Sequence, residues 1–259
     1  MSPEVGRPLS RLLFLLYYIH YSSESKKRAQ HSLYFFKTGK GEYGEGDKFL
    51  GLTISEQRSI AKKYQDLSLR EIQKLLDSSY HEQRMVGLII LTLQFSKAAT
   101  AQKNDIYSLY IKNTHNINNW DLVDVTAHII IGQFLLERPR KQLYVFAQSN
   151  NLWEKRIAII STYAFIRQGQ FSDTLKIAKI LLRDEHDLIH KAVGWMLREV
   201  GNRDKKAEKV FLDAYAYVMP RTMLRYAIEK FPEKERQKYL SQRRLHFIQL
   251  FGMIKAIVL

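Results

Sequence analysis

Apolar residues recur at helical spacing along most of the chain, and this periodicity constrains the fold more than any other feature. Leu69–Leu76 (LREIQKLL) is typical, because it places Ile72, Leu75 and Leu76 on one face of a helix. No segment of residues 68–240 alternates apolar and polar residues at the period of two that a half-buried strand needs. Only 5 of the 259 residues are proline, and an interior proline would cost a helix about 3 kcal/mol. The sequence therefore predicts an all-α fold.

The predicted helices follow one another with short polar connections between them. Val86–Phe95 (VGLIILTLQF) is apolar almost all round, as expected of a helix in the centre of a fold. Further helices are predicted over Leu122–Leu136, Leu152–Ile166, Thr174–Leu182, Leu188–Val200, Ala207–Val218 and Thr222–Lys230.

Similar helix starts recur along the chain at a nearly constant spacing. Arg84 in EQRMVGLII and Arg156 in EKRIAIIST share their flanking pattern and lie 72 residues apart, which is two steps of about 36 residues. Two helices per unit at this period are typical of an α-solenoid, in which stacked repeats form a curved superhelix. The positions on or near this period are Arg84, Trp120, Arg156, Lys191, Arg221 and Arg225.

Stacked repeats place equivalent residues in a row, so the first four of these positions are expected to line one side of the superhelix. A row of cations with an aromatic among them suits a concave basic groove that follows a phosphate backbone. The alternative is that Arg84 and Arg156 pair with neighbouring glutamates in surface ion pairs, each worth only about 0–1 kcal/mol.

Charge points to a class of partner. The chain has 41 Lys and Arg against 26 Asp and Glu, a formal net charge of +15. So large an excess makes a compact chain repel itself, and it usually serves binding to a polyanion or an anionic membrane. Mixed-sign surfaces give solubility with a much smaller imbalance, so nucleic acid is the favoured partner. The absence of cysteine excludes disulfides, thiolate nucleophiles and cysteine-ligated zinc, and it fits a reducing cytoplasm.

Residues 37–51 (KTGKGEYGEGDKFLG) differ from the rest of the chain, because five of them are glycine. This glycine loop contains no GxxxxGK[ST] phosphate-binding motif. Long glycine-rich loops are often functional, and a plain connector is the alternative. The predicted single domain comprises N-terminal helices (1–36), the glycine loop (37–51), the repeat array (52–240) and an apolar C-terminal tail (241–259).

Two apolar stretches are shorter than the roughly 20 residues that a membrane span needs. The first, Leu12–Ile19, lacks the flanks of a signal peptide. The second, Phe247–Leu259, follows a basic stretch and is a packed terminal helix, a membrane-surface segment or an artefact of the reading frame. No membrane partner is expected.

The motif WDLVD contains the first group of side chains that could take part in a reaction. Trp120 and Asp124 stand at i and i+4, so both point to one helical face. Asp121 lies in the first turn, where a carboxylate favours the helix N-terminus, and Asn118 or Asn119 is placed to cap the helix. The alternative is that Trp120 belongs to the core and both aspartates only mark the helix start.

Two further motifs follow at repeat spacing. In NLWEKRIAII, Trp153 is expected to pack between helices. In HKAVGWMLREV, Gly194 costs a helix about 1 kcal/mol relative to alanine, which indicates close approach of another group. Trp195 stands at i+4 from Lys191 and is expected to share its face.

Other kinds of chemistry find little support. His186 and His190 form an HxxxH pair without a placed third ligand, so no metal site is expected. The stretch around Asp187 is read as the end of one helix and the start of the next. No Gly-x-Ser-x-Gly nucleophile elbow occurs.

Together, NNWDLVD, NLWEKRIAII and HKAVGWMLREV resemble the AlkD-like family of DNA alkylation-repair proteins, which are built from HEAT-like helical repeats. The resemblance runs from about Tyr34 to Phe231, and RTMLRYAIEKF is similar to the family's closing helix. It implies that Trp120, Asp124 and Trp195 form the aromatic, carboxylate and aromatic of an active-site cleft. The further residues implied or expected to contact DNA are Arg156, Lys191, Arg84, Tyr34, Arg221 and Arg225.

The resemblance implies a DNA N-glycosylase of base-excision repair that removes cationic N3- or N7-alkylated purines and needs no cofactor. Such a base leaves neutral, so no strong general acid is required, unlike the carboxylate pair of ordinary glycoside hydrolysis. Asp124 would then stabilise the sugar cation and orient water, and the indoles of Trp120 and Trp195 would hold the cationic nucleotide. Arg156 and Lys191 would fix neighbouring phosphates.

The expected partner is double-stranded DNA containing alkylated bases, bound by a monomer in the cytoplasm at the nucleoid. One alternative is a non-catalytic HEAT-repeat protein that binds distorted or branched DNA. A carboxylate beside phosphates weakens binding, so Asp124 favours the enzyme. The other alternative is a scaffold for acidic proteins, which leaves the aromatic–carboxylate pair unexplained. Two departures from the family are the long glycine loop and Ala164, which stands where relatives have a lysine, with Arg167 nearby.

Overall fold

Helices account for most of residues 25–241, the part of the chain that the computed structural model describes. Within this part the one extended pairing is an isolated bridge between Lys48 and Tyr80, so the all-α prediction is confirmed. The chain divides into two compact units, Met1–Ile130 and Ile131–Leu259. The solenoid, its groove and the single-domain layout stay predictions. Predictions on residues 1–24 and 242–259, including both apolar stretches, lie outside the described residues.

The first unit is built around one long helix. Its helices are α1 (Ser25–Phe35), α2 (Ile54–Lys63), α3 (Leu69–Leu76), α4 (His81–Lys97), α5 (Thr100–Lys112) and α6 (Trp120–Ala127). α4 packs against α2, α3 and α6, and its buried positions run almost all round the helix, as its apolar sequence predicts. α2 and α3 begin with capping boxes, Thr53 with Glu56 and Ser68 with Glu71, which satisfy backbone N–H groups at both helix starts.

The second unit is also built around a central helix. Its helices are α7 (Lys141–Ala147), α8 (Leu152–Ser161), α9 (Tyr163–Ile166), α10 (Ser172–Ile180), α11 (Asp187–Gly201), α12 (Lys205–Tyr215) and α13 (Arg221–Ala227), followed by helical residues 233–241. α11 packs against α8, α12 and α13. A Cβ on Gly194 would lie 2.4 Å from the carbonyl oxygen of Met223 in α13, so the predicted close approach at Gly194 is confirmed.

Two predicted helices are wrong in their extent. The helix predicted over Leu122–Leu136 begins at Trp120 and passes after Ala127 into a π-helical turn, His128–Gly132. The helix predicted over Leu152–Ile166 is interrupted at Thr162, whose backbone N–H bonds back three residues to Ile159. A Cβ on Gly132 would lie 2.3 Å from the Ser161 carbonyl oxygen, so both irregularities occur where two segments approach closely.

Across residues 25–241, no helix is both long and apolar enough to cross a bilayer.

Candidate functional site

The start of α6 presents the predicted Trp120 and Asp124. Asn119 has extended backbone angles and is fully buried, and its Oδ1 accepts the N–H of Trp120 at 2.8 Å. Asn119 is therefore the helix cap, one of the two residues predicted for that role. Trp120 and Asp124 lie one turn apart and both are half-buried, so each has side-chain surface open to a ligand.

Aromatic rings from other segments gather around Trp120. Phe36 stacks on it with ring centroids 5.5 Å apart, and Phe35 meets it edge-on at 5.9 Å. Phe49 of the glycine loop stacks on Phe36 at 5.1 Å. We call Phe35, Phe36, Phe49 and Trp120 the aromatic wall. Such pairs add about 0.5–1.5 kcal/mol each beyond area burial.

Sequence reasoning missed the first three members of this wall. The resemblance implies that Tyr34 contacts DNA, and Tyr34 is 86% exposed. The rings in contact with Trp120 are those of its neighbours Phe35 and Phe36. Phe35 is itself 53% exposed, so its ring both packs against Trp120 and is accessible to solvent. The run of three aromatics, Tyr34 to Phe36, is the sequence signal for this feature.

A chain of charged side chains lies beside the wall. Arg84 Nη2 donates to Asp47 Oδ1 at 2.7 Å. The other oxygen of Asp47 lies 3.3 Å from His81 Nδ1, and His81 Nε2 lies 2.8 Å from Asp121 Oδ2. We call Arg84, Asp47, His81 and Asp121 the buried ionic network. It connects the glycine loop, α4 and α6.

The structure corrects the expected role of Arg84. This residue is 3% exposed, and its guanidinium donates to Asp47, to the carbonyl of Ser78 at 2.9 Å and to Asn118 at 3.0 Å. A buried guanidinium bound in this way stabilises the interior and is not a surface phosphate contact. The alternative of an exposed pair with a neighbouring glutamate is wrong for the same reason.

His81 and Asp47 are both charged at neutral pH. Burial lowers the pKa of His81, but the carboxylate of Asp121 and the hydrogen bonds to Asp121 and Asp47 outweigh it and raise the pKa to about 9. Burial raises the pKa of Asp47, but its hydrogen bond with His81 and the charge of Arg84 bring it below its usual value. Two cations and two carboxylates thus neutralise one another.

The glycine loop is fixed to α4 by Glu82. This carboxylate is 2% exposed and accepts the backbone N–H groups of Leu50 at 2.9 Å and of Gly51 at 2.8 Å. Gly46 has a φ of 87°, a conformation that favours glycine, one residue before Asp47. The loop therefore delivers Asp47 and Phe49 to the surroundings of Trp120, which favours the functional reading over a plain connector.

In the second unit, α11 carries the predicted Lys191 and Trp195 one turn apart. Trp195 is half-buried, its ring centroid lies 6.3 Å from that of Tyr163, and its Nε1 donates to Glu199 at 3.2 Å. Lys191 Nζ pairs with Asp187 at 2.8 Å, with 41% of the lysine side chain exposed. An exposed pair of this kind is worth only about 0–1 kcal/mol.

Arg156 is more enclosed than predicted. It is 4% exposed, and Nη1 donates to the carbonyl of Leu188 in the first turn of α11. It therefore links α8 to the helix that bears Lys191 and Trp195. The remaining predicted cations differ: Arg221 is half-buried and donates to the carbonyl of Leu240 at 2.7 Å, whereas Arg225 is exposed.

The position of the missing family lysine is part of the core. Ala164 is 7% exposed, and its Cβ would lie 2.8 Å from a Cβ on Gly132. Arg167 is the exposed cation nearby.

Other polar clusters have local roles. His186 Nδ1 accepts the N–H of Leu188 at 3.1 Å and caps α11, and His190 contacts the carbonyl of Asp184.

Among residues 25–241 there is no group of three metal-binding side chains. A surface cavity of about 840 Å³ near Arg140 contains none of the predicted site residues, and Arg140 is already paired with Asp173.

Comparison with known proteins agrees with this architecture. Residues 21–231 match the family described as DNA alkylation repair enzyme. A solved structure of a predicted DNA alkylation repair enzyme from Enterococcus faecalis is similar with a TM-score of 0.64 at 15% identity, over 80% of this chain and 96% of that one. At that identity the likeness concerns the fold. No curated protein matches the chain by sequence.

Proposed function

The chain belongs to the DNA alkylation repair enzyme family, and from this premise we propose that it is a DNA N-glycosylase acting on cationic N3- or N7-alkylated purines in double-stranded DNA. The observation that carries the proposal is the pairing of Trp120 and Asp124, half-buried and one turn apart at the start of α6. Asp124 places a carboxylate on the same helical face as the indole of Trp120. A cationic base and a developing sugar cation both suit that environment.

The proposed reaction needs few groups. The N-glycosyl bond breaks and its electron pair goes to the alkylated base, which loses its positive charge and departs neutral. The sugar is left as an oxocarbenium-like cation, which the carboxylate of Asp124 stabilises. Water adds at C1′ and gives up a proton, so an abasic sugar remains. The face of Trp120 holds the cationic base before the bond breaks.

The roles proposed for residues of the second unit rest on the family resemblance. Trp195 would contact the nucleotide, and Lys191 would bind phosphate, since its exposed ion pair with Asp187 is weak. Arg156 acts on α11 through its bond to the Leu188 carbonyl, so we assign it a positioning role rather than an open phosphate contact.

The decisive experiment measures base release from methylated duplex DNA. Asp124→Asn keeps the shape of the side chain and removes its charge. We expect release to fall by about 10²-fold or more, with DNA affinity kept or slightly raised because a carboxylate opposes phosphate binding. Asp105→Asn is the matched control, since Asp105 is an exposed aspartate of α5 in the same unit, and its release rate should equal that of the wild type.

Two outcomes would contradict the proposal. Release by Asp124→Asn at the wild-type rate would remove the carboxylate from the chemistry. No release by the wild type, together with tight and salt-sensitive DNA binding, would support a non-catalytic protein for distorted or branched DNA, since the net charge of +15 favours binding without any excision.

A further inference from the structure

His81 bridges carboxylates from two separate segments. Nδ1 lies 3.3 Å from Asp47 in the glycine loop, and Nε2 lies 2.8 Å from Asp121 at the start of α6. Both nitrogens donate only when the ring is the doubly protonated cation. The side chain is 2% exposed, so water is a poor substitute for either partner. The imidazolium therefore ties the glycine loop to α6.

The same ring also supports the aromatic wall. Phe49 stacks on His81 with centroids 4.8 Å apart, and Phe36 lies at 5.0 Å. Phe36 in turn stacks on Trp120. His81 thus reaches Trp120 by two routes, through the ring of Phe36 and through Asp121, the next residue in the chain.

Building on the proposed glycosylase function, we propose that His81 is a positioning residue, which fixes the ring of Trp120 through Phe36 and Asp121 and makes the glycine loop part of the site. A purely stabilising role is a weaker explanation. Apolar side chains of similar volume often replace a buried ion pair without loss of stability. A buried network can instead fix one defined arrangement of its partners. Here the partners are Asp47 of the glycine loop, which also carries Phe49, and Asp121, the chain neighbour of Trp120.

The charge of His81 depends on groups from all the segments around it. Asp47 of the loop and Asp121 of α6 favour the cation, whereas Arg84 on the same helix and burial oppose it, and the balance sets the pKa at about 9. Deprotonation removes one of the two donors. The hold on Trp120 should therefore weaken as pH rises through about 9.

The test follows Trp120 directly by ¹⁹F NMR of the full chain labelled with 5-fluorotryptophan. Trp120→Phe assigns its resonance. His81→Phe keeps a planar ring but removes both N–H donors, and we expect the Trp120 resonance to shift or to split into several, while those of Trp153 and Trp195 stay unchanged. In the wild type the Trp120 resonance should move with a midpoint near pH 9, and this transition should be absent from His81→Phe.

A matched control separates positioning from lost stability. Gln94 lies on the same helix and donates to the carbonyls of Gln65 and Leu67, both at 2.8 Å, so Gln94→Leu also releases a loop from α4. It should lower stability and leave the Trp120 resonance in place. If His81→Phe does not fold, Asp47→Asn serves instead, since it removes the loop carboxylate with little change of shape.

The proposal is overturned if a folded His81→Phe or Asp47→Asn chain shows a single Trp120 resonance at the wild-type shift. It is equally overturned if the alkaline transition of the wild-type resonance persists unchanged in a folded His81→Phe chain. In the base-release assay, we expect His81→Phe to slow release at saturating enzyme by about tenfold to a hundredfold, as misplacement of a reacting group does, with DNA affinity unchanged. If the wild type releases no base, the glycosylase fails as a function, while the fluorine spectra still decide whether His81 positions Trp120.

Discussion

Glu208 of α12 is a carboxylate in an unfavourable place. It is 1% exposed, and no group of residues 25–241 hydrogen-bonds to its Oε1. Burial raises its pKa to about 8, although Lys205 and Arg198 lower it. Between the usual pKa of 4.5 and about 8, the folded chain keeps a proton that the unfolded chain has lost, so stability must fall as pH rises. From pH 5 to pH 8 the loss is on the order of 3 kcal/mol.

Urea unfolding at the two pH values, with Glu208→Gln beside the wild type, measures this loss. The pKa of His81 is raised from 6.5 to about 9, so its contribution to stability is complete below pH 6.5 and also declines toward alkaline pH. That decline is common to both chains. The wild type should therefore lose more free energy of unfolding than Glu208→Gln. An equal fall in both would show that Glu208 ionises normally.

The sequence predicts the relative positions of some residues of the site but not of others. The spacing of Trp120 and Asp124 fixes their common face, because four residues make one helical turn. Asp47 and His81 are 34 positions apart and His81 and Asp121 are 40, so only tertiary structure brings them together. The same reason explains the wrong assignment of Arg84, whose partner Asp47 lies in a different element.

The ends of helices can be predicted from the sequence where residues next to each other in the chain determine them. Both capping boxes can be read directly, in TISE at Thr53 and SLRE at Ser68. The π turn at His128–Gly132 and the break at Thr162 were not predicted, because each depends on a neighbouring segment and the local apolar pattern continues through it. Gly194 could be interpreted only in part from the sequence. A glycine inside a helix indicates that another segment approaches closely, and only the fold shows that this segment is α13.

The contact between α11 and α13 gives a test at this scale. Alanine is better than glycine inside a helix by about 1 kcal/mol. At Gly194, however, its Cβ would lie 2.4 Å from the Met223 carbonyl oxygen, a backbone atom that cannot move alone. We expect Gly194→Ala to destabilise the chain by about 2 kcal/mol net and to lower Tm by several degrees in a thermal scan.

Gly87→Ala in α4 is the matched control for that prediction. Its added Cβ would lie 3.1 Å from the Cβ of Leu75, so α3 would have to give way by only a few tenths of an ångström. Its effect should stay within about 1 kcal/mol. A Tm of Gly194→Ala equal to or above that of the wild type would mean that α13 is not held closely against α11.

At the scale of the whole molecule, the order of the three motifs predicted the family, and the net charge predicted the class of partner. The family match over residues 21–231 agrees with the resemblance read from three motifs. The net charge of +15 fits a DNA partner, but charge alone does not show which cations are at the surface. Burial decides that, since Arg84 and Arg156 are enclosed while Lys191 and Arg225 are accessible.

Salt dependence tests the DNA contacts of the accessible cations. A protein that neutralises about six phosphates gives a slope near −5 in a plot of log Kobs against log salt concentration, and we expect a slope of that order for duplex DNA. Lys191→Ala should weaken binding to all sequences alike and reduce the slope by about 1, because one phosphate contact is lost. Lys74→Ala, at an exposed lysine of α3 outside the predicted row, should leave the slope unchanged. If Lys191→Ala has the wild-type slope, this lysine contacts no phosphate.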